Sequence, residues 1–269
     1  MIILKELDFL INYLLKENTE IKIDKLPTNI IKKKNLYRSL CNIRKPKTIS
    51  KEYINIENDY LQEELNKKNI TNIDDILPIS TTIKNSNLKN KNKICLWKGD
   101  ITTLKIDSIV NAANSQGLGC FIPCHKCIDN QIHSSAGIKL RLECNKIMKE
   151  KNYFLHTGKS FITKGYNLPS KYIIHTVGPI IQTNVTEKEE IQLVNCYTSS
   201  LELALKNRIK SIAFPCISTG EYRFPKEKAC KLAILAVENF LEDHNNDFDK
   251  IIFNVYEKED YEIYERNIR

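Results

Sequence analysis

Between Gly119 and Asn130 the chain reads Gly-Cys-Phe-Ile-Pro-Cys-His-Lys-Cys-Ile-Asp-Asn, which gathers Cys120, Cys124, His125 and Cys127 in one short stretch. Thiolates and an imidazole in a compact loop are a donor set that zinc prefers. Cys120, His125 and Cys127 offer two sulfurs and one nitrogen, leaving a fourth tetrahedral position for water or substrate, as catalytic zinc requires. Cys124 offers two alternatives: as a fourth ligand it would close the site into a structural one, or its side chain points away. Asp129, two residues past Cys127, suits a general base, a group that orients the site from behind, or a simple helix cap. His133 follows on the next helix, where it either reaches the site or is satisfied within the fold.

Three further motifs carry polar groups in suggestive order. Gly99-Asp100-Ile101-Thr102 places a carboxylate where it can accept from a nucleobase amine or a ribose hydroxyl, or cap the next turn. Val110-Asn111-Ala112-Ala113-Asn114 sets two amides beside backbone of minimal bulk, which suits a sugar or, equally, an asparagine-stabilised turn. Ser218-Thr219-Gly220-Glu221-Tyr222-Arg223-Phe224-Pro225 leads into a helix, so loop amides and helix dipole together would favour a phosphate. His156 and His175 have no partners in sequence and read as structural. Cys41, Cys95, Cys144, Cys196, Cys216 and Cys230 occupy apolar contexts, as small core residues do.

Elements that could position these groups follow from the apolar periodicity. Strands are expected at Ile94 to Trp97, Asp107 to Ala113, Ser160 to Lys164, Tyr172 to Val177, Ser211 to Pro215 and Lys250 to Tyr256. Helices are expected at Glu189 to Asn207, at Lys226 to Asp243 and in the tail. Such alternation predicts an α/β fold with helices on both faces of a mixed, largely parallel sheet, and ligands at the carboxyl ends of its strands. Every one of the eight glycines lies between Gly99 and Gly220. Residues 1–92 instead show helical spacing over 3–17, near 28–42 (with Pro27 as a start marker) and near 52–68. They read as a helical N-terminal extension, with 80–93 as a linker or surface connection.

Bulk composition narrows the class. Hydrophobic residues at 42% and charged residues at 28% suit a globular chain, and no apolar run reaches a membrane-spanning length. The amino-terminal segment carries acids within its apolar pattern and reads as an amphipathic helix rather than a signal peptide, which points to a cytoplasmic protein. Clustered cysteines in that compartment favour metal chemistry over disulfides. Of the net charge of +8, residues 1–93 carry +6, from 18 Lys and Arg against 12 Asp and Glu. That excess could meet nucleic acid, but Lys, Asn and Ile abound along the whole chain and no arginine–aromatic interleaving supports nucleic-acid readout.

Taken together and in this order, Gly99–Thr102, Ile109–Asn114, His175-Thr176-Val177-Gly178-Pro179 and Pro215–Gly220 resemble a macrodomain, the three-layer α/β/α fold that binds ADP-ribose. With Gly119–Asn130 and an extension of this length, the chain resembles the zinc-dependent macrodomains, microbial protein-ADP-ribose hydrolases. The resemblance implies a macrodomain over 93–269 with its zinc-binding loop at 119–130. It implies Asp100 and the Ile101 backbone on the adenine, and Asn111 and Asn114 at the distal ribose. It also implies Ser218, Thr219, Gly220, Glu221 and Tyr222 around the diphosphate, Tyr222 or Phe224 against that ribose, and one Zn2+ on Cys120, His125 and Cys127. Asn111, Asn114 and Asp129 are then the expected catalytic residues. The expected reaction is zinc-dependent removal of mono-ADP-ribose, O-linked to a side chain of a modified protein, with a sirtuin-like transferase as the partner that adds it. The alternative is an ADP-ribose-binding module with a structural zinc.

Overall fold

The computed structural model describes residues 2–269. Three helices come first: α1 (Ile2–Glu17), α2 (Ile30–Ile43) and α3 (Lys51–Asn66). Leu7, Leu10, Ile11 and Leu14 fall on one face of α1 at helical spacing and are buried. The start of α2 is set by Asn29, whose side chain accepts from the Lys32 amide, rather than by Pro27. Ser50 does the same for α3 through the Tyr53 amide. With Tyr37, Leu40, Tyr53 and Tyr60 these residues form a core of their own, joined from outside by Ile138.

Strand β1 (Thr71–Asn72), α4 (Ile79–Thr82), β2 (Ile94–Lys98), β3 (Leu104–Lys105) and β4 (Ser108–Ala112) come next. β1 pairs with β3 as a separate parallel ribbon. The 80–93 stretch runs along the surface, yet Ile83, Ser86 and Asn90 are buried. The Ser86 hydroxyl donates to the carbonyl of Ile268, so the connection is pinned to the far end of the chain.

The remaining elements are α5 (Ile128–Ala136), α6 (Ile138–Glu150), β5 (Ser160–Lys164), β6 (Tyr172–Thr176), α7 (Glu187–Lys206), β7 (Ser211–Phe214), α8 (Lys226–His244), β8 (Lys250–Val255) and α9 (Lys258–Ile268). The main sheet has the order β2-β8-β7-β4-β6-β5, antiparallel between β5 and β6 and parallel elsewhere. All six of its strands fall within one residue of the expected ends. Alternate residues of these buried strands feed two cores: Val110, Ile174 and Ile212 pack with α7 and α8, and Ile109, Ile173 and Ala213 with α5 and α6. This is the α/β/α arrangement the motifs implied.

Helix α6 was not legible in sequence, because its start is fixed from outside. Gly137 turns with φ 88°, and the Glu57 carboxylate of α3 accepts the Ile138 amide at 2.9 Å. Among the described residues no helix is long and apolar enough to cross a membrane.

Candidate active site

The site lies where β4 and β6 end against α5. Asn111 and His175 are register partners on these strands and face the α5–α6 side. The Asn111 side-chain amide donates to Asp129 Oδ1 at 2.7 Å and lies 3.1 Å from His175 Nδ1. With Nδ1 accepting, the proton of His175 belongs on Nε2, which faces Thr163 Oγ1 at 2.9 Å. Asn114, just past β4, donates to Asp129 Oδ2 at 3.3 Å and to the Gly119 carbonyl at 3.2 Å. The expected catalytic trio therefore converges: one carboxylate held by one amide on each oxygen. Asn111 is fully enclosed, so its amide supports Asp129 rather than opening broadly to a sugar.

Burial pushes Asp129 up to about 6, against the Asn111 hydrogen bond and the Arg141 charge. Burial likewise keeps both neighbouring histidines neutral. His175 is pushed down to about 3, and His133 falls well below its ordinary value with Arg141 and His175 adding to the effect. His133 Nε2 sits 3.6 Å from Asp129 Oδ1, and neither of its ring nitrogens has a hydrogen-bond partner. Both histidines thus belong to the site's floor, which sequence spacing missed for His175 because its contact is made across strands.

The loop before α5 brings Cys120, His125 and Cys127 together, with one ligand atom of each lying within 4.8 Å of the others. His125 presents Nδ1 to Cys120 Sγ at 3.7 Å and Nε2 to Glu221 at 3.4 Å. A carboxylate behind a ligating imidazole is the usual device for fixing its tautomer and direction. Burial raises the Cys127 thiol, and the nearby Cys120 and Asp129 charges add to it. Cys124 does not join this group. It turns with φ 52°, and its sulfur donates to the Asn35 carbonyl at 3.3 Å and lies 3.2 Å from the Ser39 hydroxyl. Two sulfurs and one nitrogen converge here, and the Cys124 sulfur is turned away from them.

The 218–222 loop closes the opposite wall. Ser218 adopts φ 66° and its buried hydroxyl has no partner. Gly178 permits this turn, since a Cβ there would lie 1.9 Å from Ser218 Oγ. By contrast a Cβ on Gly220 would meet nothing within 4 Å. The amides of Gly220, Glu221 and Tyr222 donate to no protein acceptor among the described residues. Arg223 to Pro225 separate the loop from α8, so phosphate binding here would rest on loop amides more than on the helix dipole. Thr219 Oγ1 donates to the Cys216 carbonyl at 3.1 Å. Tyr222 is half-buried; burial raises its phenol, and the Asp129 and Cys127 charges raise it further. One expectation is corrected. Phe224 is buried in the α7–α8 core and presents no face to a ligand. The Glu221 carboxylate turns to His125, leaving only its backbone for a phosphate.

Asp100 caps the 3₁₀ turn Ile101–Thr103, accepting from the Thr102 amide at 2.9 Å and hydroxyl at 2.6 Å. Its other oxygen accepts from Lys68, just past α3, at 3.2 Å. Burial opposes its charge, but the Thr102 hydroxyl and Lys68 outweigh burial and hold it below the usual carboxylate range. Ile101 is buried beside it, so only its backbone is offered.

A family model described as "Macro domain" matches residues 110–233. The chain is 45% identical over 258 residues to a protein-ADP-ribose hydrolase of Treponema medium, covering 96% of both chains. It is 41% identical over 259 residues to a protein-ADP-ribose hydrolase of Staphylococcus aureus (strain MSSA476), covering 96% of this chain and 93% of that one. In structure it resembles a Trypanosoma brucei macrodomain solved with ADP-ribose, with TM-score 0.66 and 30% identity over 86% of this chain and 95% of that one.

Proposed function

The chain belongs to the macrodomain family, and from that premise we propose that it releases mono-ADP-ribose from an oxygen of a modified protein side chain, with one zinc ion held by Cys120, His125 and Cys127. Removal of ADP-ribose from proteins is the activity its near-full-length relatives are named for, and the chain is an enzyme of that kind. The observation that carries the metal reading is the convergence of three donors while Cys124 turns towards α2. A closed structural zinc would need a fourth protein ligand, and Cys124 does not supply it.

Each group then has a task. Asp100 accepts from the adenine amine with the oxygen that carries Lys68. The amides of Gly220, Glu221 and Tyr222 receive the diphosphate, and the unpartnered Ser218 hydroxyl adds a donor. Tyr222 covers the distal ribose, and Asn114 at the mouth of the site reaches its hydroxyls. A zinc ion held by Cys120, His125 and Cys127 would supply Lewis-acid chemistry to the reaction. Asp129, held by Asn111 and Asn114, takes a proton from the attacking water. The bond from ribose C1 to the side-chain oxygen breaks as the water oxygen bonds to C1, and the proton ends on the released side chain. A sirtuin-like transferase would supply the modified protein, and the cytoplasm is the compartment we assign.

The test is release of free ADP-ribose from a mono-ADP-ribosylated protein, with a strong zinc chelator and with Cys127→Ala. Loss of release in both is expected. Release that survives both would remove zinc from the mechanism and leave the hydrolase.

A further inference from the structure

Beyond holding substrate and metal, the loop of residues 119–130 is tied to the N-terminal extension by contacts its own sequence does not announce. Arg38 of α2 places its guanidinium on Asn130 Oδ1, from Nε at 3.1 Å and from a terminal nitrogen at 2.6 Å, and that terminal nitrogen also donates to the His125 carbonyl at 2.8 Å. Asn42, one turn on, accepts the Cys124 amide at 2.9 Å and donates to Ser134 of α5 at 3.2 Å. From the sheet side, the buried Arg141 of α6 donates to the carbonyls of Cys41, Asn42 and Arg44 at 2.7–2.8 Å and to those of Leu118 and Cys120 at 2.8 and 3.3 Å. Backbone groups of Cys120, Cys124 and His125 are therefore fixed by side chains on α2 and α6.

We propose that Arg38 and Asn42 are positioning residues for the metal loop, so that the extension sets how tightly the site holds zinc. The proposal rests on the zinc reading above. Three ligands spread over eight positions of an irregular loop do not converge by themselves. A loop held in ligating form before the metal arrives loses less conformational freedom on binding. Arg38 suits this role because its planar fork spans two acceptors, which a lysine ammonium does not reproduce.

The experiment measures zinc affinity of the full chain by competition with a chromophoric chelator, for wild type, Arg38→Ala, Arg38→Lys and Asn42→Ala. The melting temperature of each metal-free chain is recorded alongside. Arg38→Ala and Asn42→Ala are expected to weaken zinc by roughly 10–100-fold, the scale for groups behind a metal ligand. Arg38→Lys should recover only part of that loss, and the metal-free Arg38→Ala chain should melt near wild type, since Arg38 is only half-buried. Unchanged zinc affinity in Arg38→Ala overturns the proposal. So does a loss matched by an equal fall in metal-free stability, which would mark a merely structural role. Should Asn42→Ala fail to fold, the two Arg38 variants decide. A wild-type chain that takes up no zinc overturns the metal reading and this inference together, whereas normal uptake with unaffected variants overturns this inference only.

Discussion

Asp129 carries Asn111 on one oxygen and Asn114 on the other, and that division decides what an isosteric change does. Asp129→Asn places an amide NH2 against one of these donors and removes the proton acceptor. Release of ADP-ribose should fall by roughly 10²–10⁴, with affinity for free ADP-ribose retained; single-turnover release and calorimetry check the two halves. Phe224 and Tyr222 separate in the opposite way. Phe224→Ala opens a cavity in the core and should lower stability by about 3–5 kcal/mol, read by denaturant unfolding. Tyr222→Ala should leave stability nearly intact and weaken ADP-ribose binding. A Phe224→Ala chain of normal stability that no longer binds ADP-ribose would restore Phe224 to the site. The cluster of Cys120, His125 and Cys127 was legible in sequence because all three sit in one loop. His175 was not, since its neighbour Asn111 is reached only through strand register.

Among the elements, the turn from β7 towards α8 depends on the loop after β6. Gly178 makes room for the Ser218 hydroxyl, so Gly178→Ala must push the 218–222 turn outward. We expect a marked loss of ADP-ribose affinity by calorimetry with only a modest fall in melting temperature; unchanged affinity would show that the turn is not part of the ligand site. Strands and the long amphipathic helices were readable because period and burial agree within each segment. Helix α6 was not, because its start comes from Glu57, 81 positions earlier in the chain. The short β1–β3 ribbon escaped for a similar reason, as two-residue strands have no period to read.

At the scale of the molecule, one surface carboxylate fastens the amino ends of three strands. Asp107 accepts from the amides of Lys210 and Ser211, from the Ser211 hydroxyl at 2.8 Å and from Lys171 at 2.7 Å. Burial opposes its charge, but Lys171 and Ser211 outweigh burial and the carboxyl is held below its ordinary value. A depressed folded value means stability present at neutral pH and lost as pH falls through the ordinary carboxylate range and below. Asp107→Asn should therefore melt below wild type at pH 7, and the gap should close as the buffer is taken towards pH 3; a gap independent of pH would assign the effect to shape rather than charge. The basic balance of the extension, visible in sequence, turned out to include residues used internally: Lys34 pairs with Glu64, Lys68 with Asp100, and Arg44 with Glu17. What could not be read from sequence was that the extension's core is completed by Ile138, the first residue of α6. That shared residue has a consequence for synthesis. The extension leaves the ribosome first, but its apolar interior stays incomplete until residue 138 has followed, a delay of several seconds at roughly 5–20 residues per second. During that interval Leu7, Leu10, Ile11 and Tyr53 lack their final neighbours, and the nascent amino-terminal helices are the part of this chain that a ribosome-associated chaperone would meet.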